Sequence, residues 1–406
     1  MIIRGGSVYQ EDKCFTERDL YIENGIIVES PQQVSDNHVI NAEGLLVLPG
    51  LIDIHSHGAA GHDFSDGNSE GIRKILAYQL SHGITSYCLT SMSVSNEDLL
   101  KAFQRVKNWQ DESSLAHIAG INMEGPFLNA SKKGAHREDC ILNPDPELFR
   151  KCNNACGNII RLITLAPETE GALEFISELK NEVVISLGHS AADYETAKAA
   201  FDAGASHITH LFNAMNPFDH RAPGLIGAAA EDENCMAELI CDGIHVHESM
   251  IRAAFRLFPD RIVLISDSMR ATGMDDGTYD LGGQQVTVKG EKALLPDGTI
   301  AGSVTNLYDC MRKAVFFGIP LEEAIAAATI NPAKSIGIFE YTGSLTPGKR
   351  ADVILIDKKL NLLQVITSKT SYPKIAHGQI IPVSSNTYLH KSVTDYRRLY
   401  LHFPYK

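Results

Sequence analysis

No apolar stretch in this 406-residue chain reaches the roughly 18 residues of a membrane span, and Met1-Ile2-Ile3-Arg4-Gly5-Gly6 shows no apolar h-region of a secretory signal. Positive charge is also in short supply. Thirty-six Lys and Arg face 50 Asp and Glu, a formal charge of −14, which excludes a general nucleic-acid or anionic-membrane binder but not a local basic pocket for one small anion. The eight cysteines are scattered, and the closest pair, Cys152 and Cys156, has no matching pair elsewhere, so nothing indicates structural zinc. They read as small, buried, reduced thiols. Together these absences predict a cytoplasmic protein. At 44% hydrophobic and 21% charged residues, the composition suits a folded chain with one large domain and one small one.

From Leu51 to about Ile338, short β-branched runs alternate with longer amphipathic stretches, the pattern of parallel βα units. Strands are expected at Leu51 to Ile54, Ile84 to Leu89, Ile118 to Met123, Ile159 to Leu165, Val183 to Leu187, His207 to Thr209, Ala237 to Cys241 and Ile262 to Ile265. Helices are expected at Ser69 to His82, Asn96 to Trp109, Gly171 to Lys180, Tyr194 to Ala203 and His247 to Phe258, from apolar residues spaced three and four apart. Eight such strands fit an α/β fold of the (β/α)8, TIM-like barrel type over residues 51–340. Both flanks are β-rich. Residues 1–50 turn at Asn24-Gly25 and Glu43-Gly44, and residues 341–383 hold strand candidates at Ala351 to Ile356 and Leu362 to Thr367. Neither flank is long enough for a core of its own, so one small β-sandwich domain built from both termini is expected, followed by a C-terminal tail, 384–406, of undecided role.

Catalytic groups of such a barrel stand at the C-terminal ends of its strands. There the chain has His55 and His57, then Glu124, His189, His210, Asp242 with His245, and Asp267. Each alone has a structural reading: His55-Ser56-His57 as two hydrogen-bonded turn residues, Asp267 as a helix cap, His189 as a satisfied histidine. Chance does not readily put them all at one rim. A strand period of two points His55 and His57 to one face. Four imidazoles and two carboxylates suit one or two divalent metals, with nitrogen content favouring Zn2+ or Fe2+ over Mg2+. Glu124 is assigned as a bridge, with His189 and His210 on one side and His55, His57 and Asp267 on the other. Asp267, beside the water such a cation would activate, can take its proton and pass it to a leaving group. His136, in the loop Lys132-Lys133-Gly134-Ala135-His136, can polarise a carbonyl. Arg221, in the loop after His210, suits a phosphate or carboxylate, or else is a surface arginine with a salt bridge. His207 is read as structural, His62, His220 and His247 as surface residues, and Asp275-Asp276-Gly277 as a turn without calcium-loop spacing.

Met123-Glu124-Gly125-Pro126-Phe127, Gly134-Ala135-His136, Leu187-Gly188-His189-Ser190, Thr209-His210-Leu211-Phe212-Asn213-Ala214-Met215, Arg221-Ala222-Pro223-Gly224 and Asp242-Gly243-Ile244-His245 together resemble the amidohydrolase superfamily and, within it, the N-acetylglucosamine-6-phosphate deacetylases. The resemblance covers almost the whole chain and weakens beyond about Pro382. It implies hydrolysis of the N-acetyl group of an amino-sugar 6-phosphate, with Glu124, His189 and His210 as metal ligands and Asp267 as acid/base. It further implies substrate contacts from Ala135, His136, Asn213, Ala214, Arg221, Asp242, His245 and Ile300-Ala301-Gly302, with Arg221 and His245 at the phosphate. A homodimer or higher homo-oligomer is implied as well, since a partner subunit can complete that pocket. Family members lacking the first-strand histidines hold a single metal; the intact pair here implies two. Other readings are an N-acetylgalactosamine-6-phosphate deacetylase, a relative acting on cyclic amides or dipeptides, and a non-catalytic sugar-phosphate sensor. The cyclic-amide relatives commonly bridge their metals with a modified lysine after the fourth strand, where this chain has Ala166-Pro167-Glu168; a sensor would be expected to have lost ligands, and none is missing.

Overall fold

A computed structural model describes residues 1–368 apart from 37, 110, 111 and 113. The eight expected barrel strands all form. They are β1 (Leu51–Ser56), β2 (Ile84–Ser91), β3 (His117–Glu124), β4 (Ile160–Leu165), β5 (Val184–Leu187), β6 (His207–Ile208), β7 (Met236–Ile240) and β8 (Ile262–Ile265). Each pairs in parallel with the next in chain order. Both faces are covered, so the strands read as nearly unbroken apolar runs. Between β8 and β1, two backbone hydrogen bonds cross the seam: Asp267 N–H donates to the His55 carbonyl at 2.9 Å and His57 N–H to the Ser268 carbonyl at 2.8 Å. Closure of the ring therefore aligns three of the predicted ligands.

Polar caps start the helices where the sequence places them. Asn68 accepts from the amides of Glu70 and Gly71 to open Ser69–Ser81, and Asp193 accepts from Thr196 N–H to open Tyr194–Ala203. The helix from Asn96 stops at Gln104 instead of reaching Trp109; Val106 and Trp109 keep apolar spacing but sit beyond it, in turns. The main core packs Leu51, Ile72, Ile75, Leu76, Ile84 and Tyr87 with their counterparts around the ring. A second cluster joins Ile52 and Ile54 to Cys88, Leu162, Ile240, Val263 and Ile265.

The termini form a separate β-sheet domain, seven strands in one sheet. Ile2–Tyr9, Phe15–Glu23, Ile26–Val28, Val39–Asn41 and Leu46–Pro49 come from the N-terminal side, Val353–Ile356 and Leu362–Ile366 from the C-terminal side. Leu46–Pro49 runs antiparallel to Val353–Ile356 and joins the two contributions. Ile3, Val8, Leu20, Ile27, Val47, Val353 and Leu355 form its own buried core. Asn24 and Gly25 make the expected hairpin turn with φ of 51° and 76°. A Cβ on Gly25 would meet the Ser368 carbonyl oxygen at 1.9 Å, so only glycine fits. Residues 369–383 of the expected β domain and the tail 384–406 lie outside the described residues.

A three-stranded antiparallel sheet, Gly277–Leu281, Gln284–Lys289 and Lys292–Leu294, was not anticipated; its first strand begins at the glycine of the expected Asp275-Asp276-Gly277 turn. Leu281, Val286 and Val288 pack it against Met92, Ala135 and Met269 at the barrel mouth. No helix among the described residues is long and apolar enough to cross a membrane.

Candidate metal centre

The strand ends deliver their side chains by a repeated backbone device. His189, His210, Asp242 and Asp267 each stand two residues past the end of β5, β6, β7 and β8, while Glu124 is the last residue of β3. His189, His210 and Asp267 adopt φ of 47°, 25° and 48°. Such left-handed conformations cost of order 1–3 kcal/mol each in non-glycine residues, and His and Asp tolerate them better than most. The turn after β5 also needs close packing, since a Cβ on Gly188 would lie 2.6 Å from Thr209 Cβ.

These turns gather five imidazoles around one carboxylate. Glu124 Oε1 lies 3.1 Å from His189 Nε2, 3.1 Å from His210 Nε2 and 3.3 Å from His55 Nε2. Glu124 Oε2 lies 3.1 Å from His57 Nε2 and 3.2 Å from His136 Nε2. Asp267 Oδ1 is 3.2 Å from His57 Nε2 and 3.8 Å from His55 Nε2. All seven residues are buried.

Outer contacts fix which nitrogen is free in His55, His136 and His189. His189 Nδ1 donates to the Lys132 carbonyl at 2.8 Å, leaving Nε2 as a lone pair, only 3.0 Å from His210 Nε2. His55 Nδ1 pairs with Glu238 Oε2 at 2.8 Å, which turns the His55 Nε2 lone pair inward. That Nε2 atom and Asp267 Oδ1 are buried without a hydrogen-bond partner among the described residues. Converging lone pairs of this kind fit a divalent cation, and two groups of side chains (His55, His57, Glu124 and Glu124, His136, His189) bring one nitrogen or oxygen atom each within 4.8 Å of one another. His136 is held the other way round. Ser93 N–H donates to its Nδ1 at 3.1 Å, so the ring proton is on Nε2 and faces the cluster.

Electrostatics follow the same division. Burial pushes the His136 pKa down to about 4 against the pull of Glu124, so the ring is neutral near pH 7. For His57, burial is outweighed by the carboxylates of Asp267 and Glu124, 3.2 and 3.1 Å from its Nε2, and the pKa rises to about 10. Burial would raise Asp267, but the adjoining His57 ring and the charge of His55 hold it down at about 2, a carboxylate at neutral pH.

The remaining predicted residues lie around or away from this cluster. The Ala135 carbonyl accepts from Gln284 Nε2 at 2.5 Å, tying the His136 loop to the three-stranded sheet. Asp242 Oδ2 pairs with His245 Nδ1 at 2.6 Å, and its Oδ1 accepts from the amides of Ile244 and His245. Asn213 directs Nδ2 to the carbonyls of His210 and Leu211, and the Ala214 carbonyl accepts from Ser190 N–H. Ala301 is buried and Ile300 exposed; a Cβ on Gly302 would lie 3.2 Å from the Asp267 carbonyl oxygen. Arg221 is exposed, and its guanidinium has no ion pair among the described residues, so the salt-bridged surface reading is not what the structure presents. His207 pairs with Ser186 Oγ at 3.1 Å, and His247 caps the helix Glu248–Leu257.

Sequence reasoning missed Glu238. It is fully buried in β7, bound to His55 Nδ1 and, at 3.1 Å, to His210 N–H. The available signal was a single charge inside an otherwise apolar strand. Asp53, whose Oδ2 accepts from Ser266 Oγ at 2.5 Å and whose pKa burial raises to about 7, was passed over for the same reason.

A sequence model of the amidohydrolase family matches residues 46–381. The chain is 37% identical to the N-acetylglucosamine-6-phosphate deacetylase of Bacillus subtilis (strain 168), over 90% of this chain and 95% of that one. It is 35% identical to the N-acetylgalactosamine-6-phosphate deacetylase of Escherichia coli O157:H7, over 90% and 97%. Among solved structures, a mutant N-acetyl-D-glucosamine-6-phosphate deacetylase from Mycobacterium smegmatis in complex with N-acetyl-D-glucosamine-6-phosphate superimposes with a TM-score of 0.85 at 32% identity, covering 91% of this chain and 98% of that one.

Proposed function

We propose that this chain, which belongs to the amidohydrolase family, hydrolyses the N-acetyl group of an amino-sugar 6-phosphate, N-acetylglucosamine 6-phosphate first, giving acetate and the amino-sugar 6-phosphate. The observation that carries the reading is the convergence of five imidazoles and Asp267 on Glu124, in a chain similar over 90% of its length to a deacetylase of such a substrate.

Glu124, His189 and His210 would hold one divalent cation and His55, His57 and Asp267 a second, with Glu124 between them. The nitrogen-rich donor set favours Zn2+ or Fe2+. Bound there, the cation supplies a Lewis acid and lowers the pKa of water toward neutrality. The chain's own groups do the rest. His136 is neutral with its proton on Nε2, so it donates a hydrogen bond to the acetyl carbonyl oxygen as negative charge develops there. Asp267 is ionised, so it takes the proton of the attacking water and returns it to the sugar nitrogen as the C–N bond breaks. Arg221 and His245 are assigned to the phosphate, and Ala135, Asn213, Ala214, Asp242 and Ile300-Ala301-Gly302 to the sugar's surroundings. Arg221 is exposed and its guanidinium is unpaired among the described residues, which supports a homodimer in which the phosphate pocket is completed between subunits. Eight free thiols fit a cytoplasmic enzyme.

The test is acetate release by metal-analysed protein from N-acetylglucosamine 6-phosphate and N-acetylgalactosamine 6-phosphate in parallel. Turnover of the first with kcat/KM of about 10⁴ M⁻¹s⁻¹ or more supports the reading. Preference for the second, which the 35% identical Escherichia coli O157:H7 relative favours, changes only the epimer. No acetate from either rejects the deacetylase.

A further inference from the structure

We propose that Glu238 is a positioning residue that fixes the tautomer and aim of His55, and thereby sets how tightly the His55, His57 and Asp267 half of the centre holds a divalent cation; this rests on the metal reading above. A fully buried carboxylate in the middle of β7 is costly unless it is bound, and an apolar side chain would serve packing at least as well. Glu238 Oε2 accepts from His55 Nδ1 at 2.8 Å and from His210 N–H at 3.1 Å. The first contact keeps the His55 proton on Nδ1, frees the Nε2 lone pair toward Glu124 and Asp267, and makes the ring a stronger donor.

The two halves of the centre are oriented by different means. His189 is held through its Nδ1 by the Lys132 backbone carbonyl, which no side-chain substitution removes. His57 Nδ1 has no hydrogen-bond partner among the described residues. On the other half, then, the only ring fixed through its outer nitrogen by a described residue is His55, and its partner is a side chain. Glu238 touches the first half only at the His210 backbone amide, not at its ring. Loss of the Glu238 charge should therefore weaken one cation position selectively.

The experiment is titration of chelator-stripped full-length protein with Co2+, followed by its visible absorption and by equilibrium dialysis, for the parent, Glu238→Gln and His55→Asn. The expected result is a parent with two equivalents, one of them lost in His55→Asn; in Glu238→Gln that same equivalent binds about 10- to 100-fold more weakly while the other is unchanged. The unchanged equivalent is also the internal check on folding. If the Gln variant does not fold, Glu238→Asp, which keeps the charge but withdraws it from His55 Nδ1, decides the matter by the same titration. Parent-like affinity for the His55-dependent equivalent, or equal weakening of both, overturns the role of Glu238 alone. A parent whose Co2+ uptake His55→Asn does not alter overturns the two-position reading itself, and the role of Glu238 with it.

Discussion

The two sides of the barrel rim are built on opposite terms. Around Glu124 every ionisable side chain is buried, each lies within 4 Å of another, and ring closure and left-handed strand ends fix the backbone beneath them. In the loop between His210 and the helix Gly224–Glu231, Phe218 and Arg221 stand exposed, and the guanidinium of Arg221 is unpaired among the described residues. Groups that move protons and stabilise developing charge gain most from a fixed, water-poor setting. A group that captures an anion from solution must keep its charge accessible. On the proposed roles, burial separates chemistry from recognition, and substitutions on the two sides should move different kinetic constants.

The largest effect is expected on the buried side. Asp267→Asn removes the proposed base while keeping the shape, and kcat should fall about 10²- to 10⁴-fold with metal content, measured by elemental analysis, largely retained. Near-normal kcat would remove Asp267 from the mechanism. His136→Ala should come next, with kcat lowered about 10²- to 10³-fold and KM little changed. Because His136 is already neutral above about pH 4, the parent should show no activity limb from it between pH 5 and pH 8 in a pH–kcat profile. A KM effect as large as the kcat effect would move His136 to the recognition side.

The same division explains what the sequence disclosed. Barrel strands are short β-branched runs between amphipathic stretches, and six of the seven clustered side chains stand at or just past a strand end, with His136 in the loop after Glu124, so the eight strands and these residues were legible before any coordinates. The sheet over the barrel mouth was not, although Gly282-Gly283, with φ of 58° and 87°, is a hairpin signal between two alternating runs. The helix from Asn96 was drawn too long because apolar periodicity persists through Val106 and Trp109 after the hydrogen-bonded helix has ended. Glu238 escaped because rim reasoning looks past the strand ends, whereas Glu238 lies inside β7.

On the exposed side, Arg221→Ala should raise KM for the phosphorylated sugar about 10- to 100-fold, the range of a lost charge-assisted contact, and leave kcat within a few-fold. Activity on the unphosphorylated sugar should be unaffected by the substitution. Equal losses on both sugars, in side-by-side initial-rate assays, would break the separation of recognition from chemistry.

The smallest effect falls on a residue that belongs to both sides. His245 is half-buried yet assigned to the phosphate, and it is paired with Asp242 Oδ2 at 2.6 Å. Burial lowers its pKa, but the hydrogen bond and charge of Asp242 more than reverse this and raise it above the ordinary 6.5. A raised pKa means that protonated His245 is favoured below 6.5 in any case, and that the advantage lies in the window above 6.5, where an unassisted imidazole would already be neutral. In Asp242→Asn the side-chain oxygen can still accept from the amides of Ile244 and His245, so the turn is kept and the charge is lost. His245 then titrates lower, and a neutral ring still donates one hydrogen bond to phosphate. The ratio of variant to parent KM should stay near one below pH 6 and grow to about five-fold toward pH 8, the difference between a charged and a neutral donor. Taking the ratio cancels the titration of the phosphate itself. A ratio that is flat with pH would show that His245 contributes shape and not charge, and would leave Arg221 to recognise the anion without it.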